Sequence, residues 1–378
     1  MNGKVFPVGS RWINRDGRMC IFLYNRHTCT RLFLILILFP PFTYPVKSLS
    51  HTQNTESNKQ QTQQKTIIMI QIATSPREEV PMRHGRFKEY RPETPQSIKT
   101  MKLYSNVDRI EKELAHMGHS QSSPLTQDIL SQFDSMHYDG DKAIQAALDV
   151  VHFSTGKSSH KVLDVGSGFG GPARYMASRG HDVLALELQH DVHEKAVELS
   201  ERCNLSSPES TLTHINGDIL QHGYETWRMP EQYDLLTSWL VFLHINDKKL
   251  LMKKCASSVK KGGTIFIEDF YKRKSFSSEE EKILSRDIYC ESDTLHTREE
   301  YIASLEEAGF TNITFVEKTG DWTAFVSDRK KAFVAAKDRF VNIHGIEAYR
   351  SLLHFYNAMD ILFEGSSLGG VRIYGEKK

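Results

Sequence analysis

The chain has 378 residues and carries 48 lysines and arginines against 47 acids, for a net charge of +1. That balance excludes the basic footprint of a nucleic-acid binder. Cys203, Cys255 and Cys290 are the cysteines in the part that reads as globular, an odd number without close pairs. This excludes a disulfide framework and points to a reducing compartment.

Residues 1–95 do not read as a folded domain. An apolar run at 32–39 is broken by Pro40 and Pro41, and it is too short for the ~20 residues that cross a bilayer. Several arginines and a single acid, Asp16, precede Glu56, faintly like a mitochondrial presequence. Residues 50–66 are a Ser/Thr/Gln/Asn-rich tract that cannot bury a core. The expectation is a disordered or spurious leader, with Met69, Met82 or Met101 as the true start. The folded domain then occupies 96–378 and is cytoplasmic, or mitochondrial if the leader is real.

From Met101 onward the pattern is helical. Ile110, Leu114 and Met117 share one face of a helix over 107–117, a second helix spans about 125–133, and a third starts at Asp141. These helices precede the first strand, so they are placed to cover a pocket mouth as a lid. His137 and Tyr138, in the loop between the second and third, are candidate substrate-binding residues.

The stretch 161–172 organises the remainder of the chain. Val162 to Val165 read as a buried strand. Gly166, Ser167, Gly168 and Gly170 form a sharp glycine loop, and Pro172 suits the first turn of a helix. A strand–glycine loop–helix unit offers N–H groups at a helix N-terminus, where nucleotide-like ligands sit. Gly166, Gly168 and Gly171 alone also fit a dinucleotide fingerprint. Asp164, two residues before the first glycine, argues against a pyrophosphate, because two anions would face each other.

Beyond it, strand and helix alternate. Helix 172–179 ends at Gly180, and strand 182–188 contains Glu187 at its end, placed to accept ribose hydroxyls. Helix 191–202, strand 211–216 with Asp218 and Ile219 after it, and strand 233–240 with Trp239 come next. Gly262 and Gly263 turn the chain into a strand over 264–270. A helix over 295–308, a strand over 313–317, a helical insert over 321–368 and a last strand over 370–375 complete the chain. The expected fold is α/β: a Rossmann-like, doubly wound, mainly parallel seven-stranded sheet with helices on both faces, a helical N-terminal lid and a helical insert before the last strand.

The motifs at 162–171, Glu187, Asp218, 238–245 and 262–269 resemble, in that order, those of class I S-adenosylmethionine (SAM) methyltransferases. The stretch from Asp234 to Ile245 resembles small-amine N-methyltransferases, whose corresponding strand also ends near a histidine. Gly-Gly-Pro-Ala-Arg-Tyr (170–175), Ala-Leu-Glu-Leu-Gln (185–189) and Ile-Glu-Asp-Phe (267–270) look closest to the sarcosine/dimethylglycine type. Phosphoethanolamine methyltransferases carry Tyr-Ile-Ser-Ser-Gly-Gly where this chain has His137-Tyr138-Asp139-Gly140, which ranks that type second.

The resemblance implies SAM contacts from Asp164, Gly166, Ser167, Gly168, Gly170, Glu187, Leu188, Asp218, Ile219 and Trp239, and no metal. Asp218 would reach the adenine amino group, and His244 would accept the amine proton or orient a water that does. Tyr271 and Phe242 join His137 and Tyr138 as substrate candidates, among the aromatics Trp239, Phe270, Tyr289 and Trp322, since aromatic faces suit a quaternising amine. Arg174, Lys272, Arg273 or Arg298 would anchor an anionic substrate, while Glu268 or Asp269 would hold an ammonium. The partner is a small-molecule amine, with neither nucleic acid nor membrane insertion. The leading activity is N-methylation of sarcosine or dimethylglycine towards glycine betaine. Alternatives are a phosphoethanolamine-type methyltransferase, an NAD(P)-dependent oxidoreductase and a non-catalytic SAM-binding protein.

Overall fold

The computed structural model describes residues 107–134, 136–205, 211–221 and 232–378, and the backbone of 11–13 and 19–21. The chain divides into Met1–Val80 and Pro81–Lys378. In the first unit, β1 (Arg11–Ile13) pairs antiparallel with β2 (Met19–Ile21). The other expectations for the leader lie outside the described residues.

The second unit is built on seven strands: β3 (Lys161–Val165), β4 (Asp182–Glu187), β5 (Leu212–Asn216), β6 (Tyr233–Trp239), β7 (Val259–Lys272), β8 (Phe310–Glu317) and β9 (Leu368–Lys377). Their order is β5-β4-β3-β6-β7-β9-β8. The strands from β5 to β7 pair in parallel, and β9 runs antiparallel to both of its neighbours. The order reverses between β3 and β6, where the following loops diverge and leave a crevice at the strand C-termini.

Strand side chains alternate between the two faces. Leu163, Val165, Leu236 and Ile265 pack under α6 (Lys248–Ser258) and α8 (Arg298–Glu307), through Leu251, Met252, Tyr301 and Leu305. Their neighbours Val162, Leu235 and Phe266 face α3 (Asp141–Thr155) and α4 (Gly171–Ala177), through Ala143, Ile144, Ala147 and Met176. Fully burying one such aliphatic side chain is worth roughly 1.5–3 kcal/mol.

The lid begins with α1 (Arg109–His116), which packs with α5 (His190–Arg202) through Ile110, Leu114, Val192 and Leu199. The expected second helix shrinks to one turn, α2 (Gln127–Leu130), with the Thr126 hydroxyl accepting from the Ile129 amide. Downstream of it, Asp134 leaves helical geometry to reach Arg174.

Two helices were not anticipated: α6, and α7 (Ser278–Ile283) with the π turn Leu284–Ile288 after it. The latter start was legible as a capping box, Ser277 with Glu280. The insert is α9 (Thr319–Ala335), α10 (Lys337–His344) and α11 (Ile346–Glu364). Tyr138, Phe270, Trp322, Met359 and Phe363 join insert, lid loop and sheet in one cluster. Among the described residues, no helix is long and apolar enough to cross a membrane.

Candidate active site

The crevice between β3 and β6 opens into a cavity of about 760 Å³. Gly166, Glu187, Leu188, Asp218, Ile219 and His244 line it, with Val241, Asn246, Tyr289 and Glu291. Ser167 and Gly168 face instead a small adjoining recess, with His137 and Trp239.

The glycine loop differs from its sequence reading in one respect. The amides of Gly166, Ser167 and Gly168 are engaged within the protein. Gly166 and Ser167 donate to the Leu186 carbonyl at 2.8 and 3.0 Å. Gly168 donates to Glu187 Oε2 at 2.8 Å. Gly166, at φ +70, also makes room for the protein's own chain, since a Cβ there would lie 2.4 Å from a Val241 methyl. Gly170 lines neither cavity: a Cβ on it would meet Arg174 and His214, so its role is helix packing rather than cofactor contact.

The carboxylates carry the polarity of this site. Glu187 is buried and accepts from Gly168 and from the Gln189 amide at 2.9 Å. Each oxygen keeps a lone pair for a hydroxyl. Burial pushes its carboxyl up against those donors. Asp164 is fully buried and lines neither cavity. Its Oδ1 accepts from Thr237 Oγ1 at 2.8 Å and Trp239 Nε1 at 3.0 Å, so it braces the ends of β3 and β6. Burial pushes it up to about 7. Its Oδ2, Ser167 Oγ and Gln189 Oε1 are buried with no partner.

Carboxylates, with the Gly166, Ser167 and Gly168 amides already spent, suit a cationic, hydroxyl-bearing ligand and would repel a pyrophosphate. The residues present therefore fit SAM and do not fit a dinucleotide.

His244 lines this cavity and also a second one, of about 120 Å³, beyond it. That volume is below the ~300–1,000 Å³ of sites for drug-sized ligands. The second cavity is walled by Met136, His137, Tyr138, Leu240, Leu243, Phe270, Ile288, Phe325, Phe355, Tyr356 and Met359, with Arg109 from α1 and Arg329 from α9. Among the described residues, no carboxylate lines it. Burial and the like charge of Arg329 hold the Arg109 guanidinium below its ordinary proton affinity.

His244 Nδ1 lies 3.1 Å from the Tyr289 carbonyl. A carbonyl only accepts, so Nδ1 carries the proton and Nε2 offers a lone pair. Burial holds this histidine at about 4 against the pull of the carbonyl. His137 Nε2 faces the Gly140 carbonyl at 3.1 Å, and burial likewise lowers it to about 4. Tyr138 stacks on Trp322 with ring centroids 4.3 Å apart, and Lys318 at the root of the insert bridges to Asp139 at 3.1 Å.

Several expected substrate residues are elsewhere. Phe242 is fully buried in the sheet core, because its 3₁₀ turn points it inward while the same turn points His244 out. Tyr271 packs on Gly369 and bonds Glu317, away from both cavities.

The expected cations are also committed. Arg174 is wholly buried against Asp134 at 2.6 Å, Arg298 lies over Phe315, Lys272 lies over Phe276, and Arg273 flanks Glu317. Glu268 is paired with Arg372, and Asp269 accepts from Tyr301 at 2.9 Å. No motif or spacing marks Arg109 or Arg329, which come from helices far apart in the chain.

Residues 136–314 match the family model of a methyltransferase domain. That stretch of the chain is similar to a methyltransferase domain. Over 203 residues it is 28% identical to phosphoethanolamine N-methyltransferase 1 of Zea mays, covering 53% of this chain and 38% of that protein. The chain thus spans less than half the length of this curated relative. The fold is similar to that of Haemonchus contortus phosphoethanolamine N-methyltransferase 2 in complex with phosphomonomethylethanolamine and S-adenosylhomocysteine. That likeness has a TM-score of 0.56 at 19% identity, over 73% of this chain and 60% of that one. A Galdieria sulphuraria protein assigned as a sarcosine dimethylglycine methyltransferase gives 0.54 at 19% identity, over 72% and 98%. The second unit has the expected doubly wound sheet, and its larger cavity occupies the position at the strand ends where this fold binds ligands.

Proposed function

We propose that this chain is a SAM-dependent N-methyltransferase of a small anionic amine, with a phosphoethanolamine-type phosphobase as the substrate. The observation that carries this reading is the smaller cavity: apolar walls, two arginines, no carboxylate, and His244 shared with the cofactor cavity. Bound SAM would supply a methyl group on a positive sulfonium, the amine nitrogen bonding to the methyl carbon in line as the carbon–sulfur bond breaks and the neutral thioether leaves.

This chain's residues would do the rest. Glu187 would accept the ribose hydroxyls and Asp218 would face the adenine edge. Asp164 would set a negative potential behind the sulfonium and the amino-acid ammonium. Arg109 and Arg329 would hold the anionic end of the substrate, with the planar fork that favours phosphate or carboxylate. Tyr138, Phe270 and Tyr356 would offer ring faces to the nitrogen as it gains charge, at about 0.5–2 kcal/mol each.

The substrate amine arrives mainly as an ammonium, with an ordinary pKa near 10. Desolvation in an apolar cavity favours its neutral form. His244 Nε2 would accept a hydrogen bond from the nitrogen and orient its lone pair. A histidine held near 4 is too weak a base to keep the proton, so its contribution is alignment.

Two arginines match a phosphate dianion better than a single carboxylate, which ranks phosphoethanolamine above sarcosine and dimethylglycine. The maize and nematode likenesses support the same order. The test is mass-spectrometric methyl transfer with a panel of phosphoethanolamine, ethanolamine, sarcosine and dimethylglycine. Turnover on phosphoethanolamine and not ethanolamine is expected. Turnover on sarcosine or dimethylglycine alone would restore the betaine reading, and SAM bound without any turnover would leave a binding protein.

A further inference from the structure

Helix α1 is tied on two sides. Its Glu111 accepts from Arg202 of α5 at 2.9 Å. Its Glu113, buried at 6% exposure, meets α10. There His344 Nε2 lies 2.8 Å from Glu113 Oε1, and the Arg339 guanidinium reaches both carboxylate oxygens. No residue of α10 counts as buried, so its hold on α1 depends on this polar contact rather than on packed apolar area. A buried carboxylate costs more than an apolar residue of similar size unless it is paired, so its presence here calls for a reason.

The geometry supplies one. Arg109 sits one turn before Glu113 on the same helix and reaches the substrate cavity, where it also donates to the Phe133 carbonyl at 3.0 Å. Arg329, on the insert that α10 continues, faces the same cavity.

We propose that Glu113 is a positioning residue, which fastens the lid helix to the insert through Arg339 and His344 and so sets Arg109 opposite Arg329 around the substrate's anionic end. This rests on the anion-site reading given above. Glu113 touches neither ligand cavity; it acts through Arg109.

The test is calorimetric titration of inorganic phosphate and phosphoethanolamine into the full chain with S-adenosylhomocysteine bound, so that no methyl transfer adds to the heat. Wild type, Glu113→Gln, Arg339→Gln, Arg109→Gln and the Glu113→Gln/Arg109→Gln double variant would be compared. Glu113→Gln and Arg339→Gln should each weaken both anions about tenfold and leave SAM affinity unchanged, with Glu113→Asp partly restoring binding. In the Arg109→Gln background the Glu113 effect should vanish, which a merely structural glutamate would not produce. Arg339→Gln alters a half-exposed side chain, so it stands as evidence even if Glu113→Gln folds poorly. Additive losses, or anion affinities unchanged in both single variants, would overturn the positioning role while leaving the anion site intact. Wild type binding neither anion would overturn both readings together.

Discussion

The two cavities of this domain are built on opposite plans. The larger one is made by consecutive loops at the C-terminal ends of β3, β4, β5 and β6, and its polarity is acidic: Glu187 and Asp218 on its wall, Asp164 behind it. The smaller is assembled from α1, the 136–138 loop, the end of β6 and the insert helices, and its polarity is basic within aromatic walls. His244 is the polar side chain that belongs to both. Under the proposed function one cavity would take the cationic cofactor and the other an anionic amine, with the reacting centres meeting at their shared wall.

This contrast can be broken at its shared residue. His244→Ala should cut kcat by about 10²-fold through lost alignment while changing SAM affinity little, read by single turnover and calorimetry. Equal losses in both would make it part of the cofactor wall alone. Next in size is the brace beneath the 136–138 loop. Asp134→Ala leaves Arg174 buried and unpaired, at a cost of roughly 3–5 kcal/mol, visible in denaturant unfolding. A loss below about 1 kcal/mol would mean that water reaches the arginine.

The basic cavity is sharpened by Arg329→Gln, which should raise KM for phosphoethanolamine about tenfold and leave KM for SAM alone. A matched rise for both ligands would erase the division of charge between the cavities. The acidic cavity has its counterpart in Asp164→Asn. Burial already pushes this carboxyl up to about 7, so the amide should be nearly neutral for melting temperature. SAM affinity should fall about tenfold if the residual charge faces the sulfonium.

The smallest effect is in pH. Burial keeps His244 neutral down to about 4, so kcat should show no inflection at the ordinary histidine value of about 6.5. Stability has the same sign from His244 and His137: the unfolded chain takes up protons first below 6.5, so their contribution is lost as pH falls from 6.5 towards 4. Asp164 and Glu268, both pushed up to about 7, act in the opposite direction between about 4 and 7. A kcat inflection at 6.5 would show that water reaches His244.

Much of the larger site was readable because it is local in sequence. The Asp164-to-Gly170 stretch, Glu187 and Asp218 each lie within a few residues of a strand's end, and the doubly wound order brings such loops together. Even there the roles shifted. Asp164 braces Thr237 and Trp239, Gly166 accommodates Val241, and the loop amides serve Leu186 and Glu187. These are long-range contacts that no single motif encodes.

The smaller site was largely hidden. Arg174 looked like an anchor and is a buried structural ion, while Arg109 and Arg329 lie in no motif and were not singled out. Phe242 and His244 differ by two positions in one 3₁₀ turn and point to opposite sides.

By itself the sequence determined the order of the strands and the acidic end of the larger cavity, because strand periodicity and glycine turns act over a few residues. The tertiary structure alone decided which cations face the smaller cavity, which aromatics are walls rather than core, and that one histidine joins the two cavities. Those choices depend on lid and insert, far apart in the chain, being folded onto the same edge of one sheet.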